Sequence, residues 1–428
     1  EMNIRDWSSD VCSSDLTTNA SLDGPIGGLD ATRTLTITSQ TGNPASATLQ
    51  FDPNTLAENF IIRLDEAGHT TVSNLTFEET GNDDDFSTLI GLYGAATGNT
   101  VSNNILNGDP TATGTTAAQA IIVLTGQQDD LTVSNNTFNG ASSGFVGAAG
   151  TGDKQNTVLD GNTFSEQHVT SVLFENASSP QITNNTVTNT TTTYYPFSGM
   201  LLGDFNIAGE VSNNRVETDR AGDGFYFNFL SSATVVSNNV SVVGDVNGGA
   251  GNTKIAIDVR WGDDAFFFHN TGIVTAATDA ASAAFNDQGG SFAYSVENNI
   301  FVNQSANGFA FISDNGQLTG GGGTGSNDYN VYYAPNTNLA EWDGTAAADL
   351  AALQAANSVD VNSVEVDPAF VDVANFDVNV CESSLQVTNP LASVTDDING
   401  TTRDAATPTA GVHELLPQLP TAPFLAAD

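Results

Sequence analysis

A short asparagine-bearing segment returns ten times along this chain, and no other feature limits its fold as strongly. It reads NLTF at 74–77, VSNNIL at 101–106, VSNNTF at 133–138, LDGNTF at 159–164 and ITNNTV at 182–187. It continues as VSNNRV at 211–216, VSNNVS at 236–241, FHNTGI at 268–273, VENNIF at 296–301 and NDYNVY at 327–332. With Asn74, Asn104, Asn136, Asn162, Asn185, Asn214, Asn239, Asn270, Asn299 and Asn330 as markers, the steps run from 23 to 32 residues and average about 28. Between markers lie short apolar runs rich in β-formers: AQAIIVLTG (118–126), SGMLLGD (198–204), DGFYFNF (223–229), KIAIDVRW (254–261) and GFAFISDN (308–315). They lack a sustained 3.6-residue period, so they read as strands. A unit of this length with about three short strands and polar corners is one rung of a solenoid, and ten rungs stacked at about 4.8 Å make a rod roughly 45–50 Å long. Asparagine suits the corners because it tolerates the left-handed backbone region and its amide can bond to its counterparts on neighbouring rungs. The recurring asparagines are therefore expected to be a structural ladder.

Charge removes whole classes of function. Against 50 Asp and Glu stand 9 Lys and Arg, a formal charge of −41 over 428 residues. Nucleic acid is excluded, since phosphate neutralisation needs clustered bases, and so is docking on an anionic membrane surface. No run of about 18 apolar residues is present, so no membrane-inserting helix is read in the chain. Gly (41) and Asn (45) are both abundant, as many tight turns require. The opening residues EMNIRDWSSDVCSSDL do not join the pattern that follows, and DWSSDVCSSDL (6–16) is the translation of a common sequencing-library adapter. Residues 1–16 are therefore read as an assembly artefact and set aside. Without them 46 acids face 8 bases, for −38, and Cys381 stands alone, so no internal disulfide is expected. Any export signal would lie upstream.

The ends differ from the middle. ATRTLTITSQTGNPASATLQF (31–51) alternates as first rungs or an edge cap would, and Asn59–Asp65 reads as an inner strand. GGGGTGSNDYNVYY (320–333) closes the regular array, and TAAADLAALQAAN (345–357) reads as a helix with Leu350 and Leu353 on one face, placed to cover the last rung's open edge. The expected organisation is N-terminal coils or cap over 17–70, the repeat domain over 71–344 and a C-terminal helix and closing region over 345–428.

The repeat resembles the loose I-x-x-N-x-apolar coil of right-handed parallel β-helix proteins of the pectin-lyase-like superfamily, well over about 70–345 and more weakly over 30–70. The tail VDVNSVEVDPAFVD (359–372) and DDINGTTRDAATPTAGVHEL (396–415) resembles the closing region of secreted bacterial members. Asp367, Pro368 and Phe370 match its first motif, and Asp397, Gly400, Arg403, Gly411 and Glu414 its second; Val412 and His413 depart from it. The resemblance implies an all-β, three-faced, right-handed parallel β-helix, exported to the cell surface or beyond. It leaves activity open, because this fold carries lyases, glycosidases, adhesins and non-catalytic proteins.

Two chemical readings follow. β-Elimination of the pectate-lyase type needs a Ca²⁺ held by carboxylates and an Arg or Lys base. Aligning the strands puts Asp204, Asp258, Asp287 and Asp314 near one side of successive rungs, with Arg260 and Lys254 as bases beside them. Ca²⁺ is the one cofactor this suggests; no motif fixes any. Hydrolysis of the polygalacturonase type is matched only by Asp263-Asp264. The second reading is carbohydrate binding without catalysis. Tyr226, with Tyr194, Tyr195, Trp261 and Arg220 within a rung or two, offers aromatic faces beside polar groups, as sugar rings require. Phe225, Phe227 and Phe229 should fill the interior, leaving Tyr226 and Asn228 outward. The four histidines (69, 168, 269 and 413) show no ligand spacing and read as isolated surface or corner residues. A thiol at Cys381 reads as buried and inert. The leading expectation is a monomeric surface or extracellular β-helix that contacts a glycan. The alternatives are a Ca²⁺-dependent polysaccharide lyase and a stalk or adhesin module of a longer protein.

Overall fold

The computed structural model describes residues 19–415 apart from 54, 82–85, 149–151, 191–196, 220–221, 231–232, 245–252, 262–264, 276–279, 289–294, 314–325, 376 and 381. Cys12, Tyr194, Tyr195, Arg220, Asp263, Asp264, Asp314 and Cys381 lie outside the described residues.

Each rung carries three strands that pair in parallel with their counterparts above and below, giving sheets of 14, 12 and 11 strands. The rung at 62–79 sets the pattern: Ile62–Asp65 joins the first sheet, Thr70–Ser73 the second and Thr76–Glu79 the third. The runs singled out from sequence form strands Ala120–Leu124, Phe197–Ile207, Gly222–Leu230, Lys254–Arg260 and Phe309–Ser313, all in the first sheet. The segment 31–51 supplies the strands Leu35–Thr38 and Thr48–Phe51 of an early rung.

Alternation along each strand sorts side chains into columns running down the rod. The inner column of the second sheet, from Val72, Val101 and Val133 through Leu159, Ile182, Val211 and Val236 to Phe267, is buried throughout. Rings stack inside too, Phe138 on Phe164 at 4.4 Å and Phe285 on Phe311 at 5.6 Å. Each such buried side chain contributes about 1.5–3 kcal/mol by leaving water. Where two faces converge no side chain fits: a Cβ at Gly224 would sit 1.8 Å from Ser241 Oγ.

The tight corner between the second and third sheets has two residues with separate tasks. The first adopts the left-handed region: Asn103, Asn135, Asn184, Asn213 and Asn238 all have φ between +54° and +57°. The second points inward and builds the ladder from Asn104 through Asn136, Asn162, Asn185, Asn214, Asn239, Asn270 and Asn299 to Asn330. Each of these amide oxygens after the first accepts the backbone N–H and the Nδ2–H of the preceding ladder asparagine at 2.8–3.1 Å. Asn74, with φ +55°, holds the left-handed position, and Leu75 stands at the head of the ladder, donating its N–H to Asn104. At the far end Ser363 Oγ takes the N–H of Asn330.

The helix is shorter than the Ala-rich run predicts. It spans Leu350–Asn357, started by the Asp349 side chain on Ala352 N–H and ended by Ser358 at φ +59°. Thr345–Ala347 instead pairs antiparallel with Ala340–Trp342, the strand against which the helix packs. Beside it Asp360, fully buried, accepts from Tyr332, Ser363, Asn327 and Asn357 at 2.8–2.9 Å.

The C-terminal strap, 378–415 apart from 381, lies across the third sheet. There the outward columns become more apolar: Thr137, Thr163 and Thr186 lead through Arg215 to Val240, Thr271 and Ile300, and Asn139, Ser165 and Thr188 through Glu217 to Val242, Ile273 and Val302. Val378, Val380, Leu385, Val387, Ala410 and Val412 of the strap pack on that face. The residues of the second closing motif hold it. Arg403 donates to Asn238 Oδ1 (2.7 Å), Gly411 O (2.9 Å) and Thr409 O (3.0 Å) and pairs with Glu414 at 3.5 Å. Asp397 accepts from Asn399, Thr401 and Glu414 backbone N–H, and Gly411 (φ +77°) leaves no room for a Cβ against Ile300. His269, at a rung corner as one reading allowed, and His413 are both buried in this interface.

Candidate functional site

Along the strands Gly222–Leu230, Lys254–Arg260 and Ala283–Gln288 the outward column of the first sheet runs Tyr226, Asp258, Asn286. On the rungs before, the same column is Val146, Leu173 and Leu201. After the Arg63–Asp65 pair of the first rungs and this apolar stretch, polar chemistry returns to the column at Tyr226. Asp258 is fully buried; Oδ1 accepts from Asn286 Nδ2 at 2.8 Å and Oδ2 from the Arg260 guanidinium at 3.1 Å. The same guanidinium lies 4.7 Å from the centre of the Tyr226 ring, so a carboxylate and an aromatic face fix it together.

The next position on successive rungs is a corner, where Asp204, Phe229 and Trp261 follow the paired residues Gly203, Asn228 and Arg260. All three have positive φ, +50°, +53° and +58°, which turns their side chains out of the strand's alternation. Phe229 and Trp261 stack at 5.9 Å with 11° between planes, and about half of each remains exposed, 49% and 50%. Phe229 is thus corrected from an interior to a surface residue, whereas Phe225 and Phe227 are buried as expected.

Electrostatics set the protonation of the site. Burial raises Asp258 to about 6 although Arg260 and Asn286 pull it down. Asp223, half-buried one rung earlier, is pushed well above the usual carboxylate range by burial and then by the charge of Asp258. Burial likewise raises the Tyr226 hydroxyl, with Arg260 opposing.

Of the residues expected here, Tyr226, Trp261, Arg260 and Asp258 are brought together. Lys254 is fully buried at the opposite end of its strand, six residues or about 20 Å from Arg260. The acid row does not form as one line. Asp204 is at the corner, Asp258 in the outward column, and Asp287 in the inner column of Phe227 and Val259, where Ser313 Oγ donates to it at 2.9 Å. Among the described residues no three His, Cys, Asp or Glu side chains converge as a metal would need. Asp223 and Phe229 were missed from sequence. The signal that finds them is strand register, which shows Asp223 beside the Asp258 strand and Phe229 level with Trp261.

Residues 91–270 match the family model of the right handed beta helix region. The fold is a right-handed parallel β-helix, the hand that parallel crossovers favour. No curated protein sequence matches. Among solved structures, a pectate lyase is similar over 94% of this chain and 92% of its own, with 13% identity and a TM-score of 0.44. The Dettilon tailspike protein is similar over 65% of this chain with 12% identity and a TM-score of 0.39, and the chain spans 57% of that protein's length. A DFA-IIIase from Arthrobacter chlorophenolicus is similar over 70% of this chain and 81% of its own, with 13% identity and a TM-score of 0.39.

Proposed function

We propose that this β-helix binds a carbohydrate along the edge of its first sheet, outside the cell or at its surface. The observation that carries the reading is the half-exposed Phe229–Trp261 stack beside an Arg260 already oriented by Asp258 and Tyr226. Aromatic faces hold the apolar face of a sugar ring, and a fixed guanidinium with N–H groups to spare meets its hydroxyls without paying again for ordering. Asp204 and Asn228 stand on the same rungs as polar partners. Arg260 is offset by Asp258, and the chain around them carries a large negative charge, so a neutral glycan suits the site better than a polyuronate.

The test is retention in affinity electrophoresis on a panel of neutral and uronate polysaccharides, followed by calorimetry on the best ligand. Trp261→Ala and Phe229→Ala are each expected to weaken binding about tenfold or more, the loss of one stacking contact. No retention by any polysaccharide, or Trp261→Ala binding as well as wild type, would overturn the reading. A Ca²⁺-dependent rise in unsaturated-uronate absorbance, abolished in Arg260→Ala, would replace it with a lyase.

A further inference from the structure

The C-terminal strap meets the rungs through two histidines, each with one ring nitrogen facing an asparagine amide nitrogen that donates to it. His269 lies at the left-handed corner position, where other rungs carry asparagine, and is fully buried. Its Nδ1 faces the Thr409 carbonyl at 3.1 Å, which can only accept, so Nδ1 carries the proton and Nε2 accepts from Asn298 Nδ2 at 3.1 Å. Asn298 is oriented in turn, because the same Nδ2 donates to Asn389 O at 2.7 Å. On the other side Arg215 Nη2 donates to Asn399 Oδ1 at 3.3 Å, which aims the Asn399 amide nitrogen at His413 Nδ1 at 3.1 Å. His413 Nδ1 is therefore an acceptor as well. Protonating either ring would set its N–H against an asparagine N–H in a buried interface that already holds Arg403 and Arg215; at His269 the Thr409 and Gly411 backbone groups favour the charged ring but are outweighed by burial and Arg403.

We propose that the strap, 378–415, is an acid-released clasp: protonation of His269 and His413 detaches it from the third sheet while the rungs beneath stay folded. The charged groups facing the two rings come from the strap and the residue just before it, from the third sheet and from the second. Arg403, paired with Glu414, faces His269, and Glu297 lies beside it through Asn389. Arg215, Arg403, Asp397 and Asp377 face His413. Burial, then Arg215, holds His413 down at about 4, and burial, then Arg403, holds His269 well below its ordinary value. A released strap would restore both to about 6.5. The detached state thus binds more protons, so its share grows as pH falls below about 6.5 and continues to grow until the bound values are passed. The rod beneath is held by its own ladder and inner columns, none of which includes the strap. Detachment uncovers the outward face of Val240, Val242, Ile273, Ile300 and Val302.

Hydrogen exchange read by peptide on the full chain, from pH 7.5 to 4 and corrected for intrinsic rate, tests this alongside a dye that binds exposed apolar surface. The expected result is an increase of about tenfold or more in exchange within 378–415, with dye binding, while peptides within 100–216 keep their protection. In His269→Gln/His413→Gln the transition should move to lower pH. A strap protected throughout, strap and rungs opening together, or a double variant opening at the wild-type pH would overturn the proposal. If the double variant is unfolded at pH 7.5 by circular dichroism, His413→Asn alone decides: an unchanged transition overturns it, a lower one supports it.

Discussion

At the residue scale, adjacent asparagines in one repeat answer to different physics. Asn213 has a left-handed backbone that glycine would take equally well, whereas Asn214 is buried and satisfies two donors on the rung above and the Ile182 carbonyl. Asn213→Gly should change stability little and Asn213→Val should cost about 1–2 kcal/mol, while Asn214→Ala should cost about 3 kcal/mol through stranded donors. Guanidinium unfolding of the three variants checks the order. Asp258 carries a pH signature of its own. Its folded value of about 6 lies above the ordinary 3.8, so the stability it lends is complete below pH 4 and is lost as pH rises through 6. The loss is bounded at about 3 kcal/mol, and Asp223 shares the titration. The stability of Asp258→Asn relative to wild type should therefore rise between pH 4 and 7; a difference that does not change with pH would show that the buried charge costs nothing.

At the element scale, the strap shows how far a linear motif can be read. Asp397, Gly400, Arg403, Gly411 and Glu414 were visible as a resemblance, but their task was not, because the partners Asn238 and Ile300 lie more than a hundred residues upstream. Arg403→Met should leave the Glu414 carboxylate buried without its cation and cost about 3–5 kcal/mol. The loss should register as faster exchange in 378–415 before any change in 100–216. The helix illustrates the same limit. An Ala-rich run predicts helix from Thr345, yet Thr345–Ala347 can pair with Ala340–Trp342, and that local hydrogen-bond partner overrides propensity. Gly224 has a tertiary cause as well: Gly224→Ala should lower the thermal midpoint by several degrees, at about 1–3 kcal/mol, since its methyl would overlap Ser241 Oγ.

At the scale of the whole molecule, 50 acids against 9 bases make self-repulsion a standing cost of the compact state. Raising salt from about 0.01 M to 1 M shortens the screening length from roughly 30 Å to 3 Å, so the unfolding temperature should rise with added NaCl. A flat response would mean that the acids are already neutralised locally. The Asn repeat, period and strand composition alone determined the rung, the stacking and the buried ladder, because each repeats a local rule that neighbouring copies reinforce. Only the tertiary structure decided which Asp faces in or out, that Phe229 leaves the core to stack on Trp261, that Lys254 is buried away from Arg260, and how His269 of a rung and His413 of the strap meet. The reason is register: one residue of offset between paired strands moves a side chain to the opposite face, and the loops that set that offset vary in length from rung to rung.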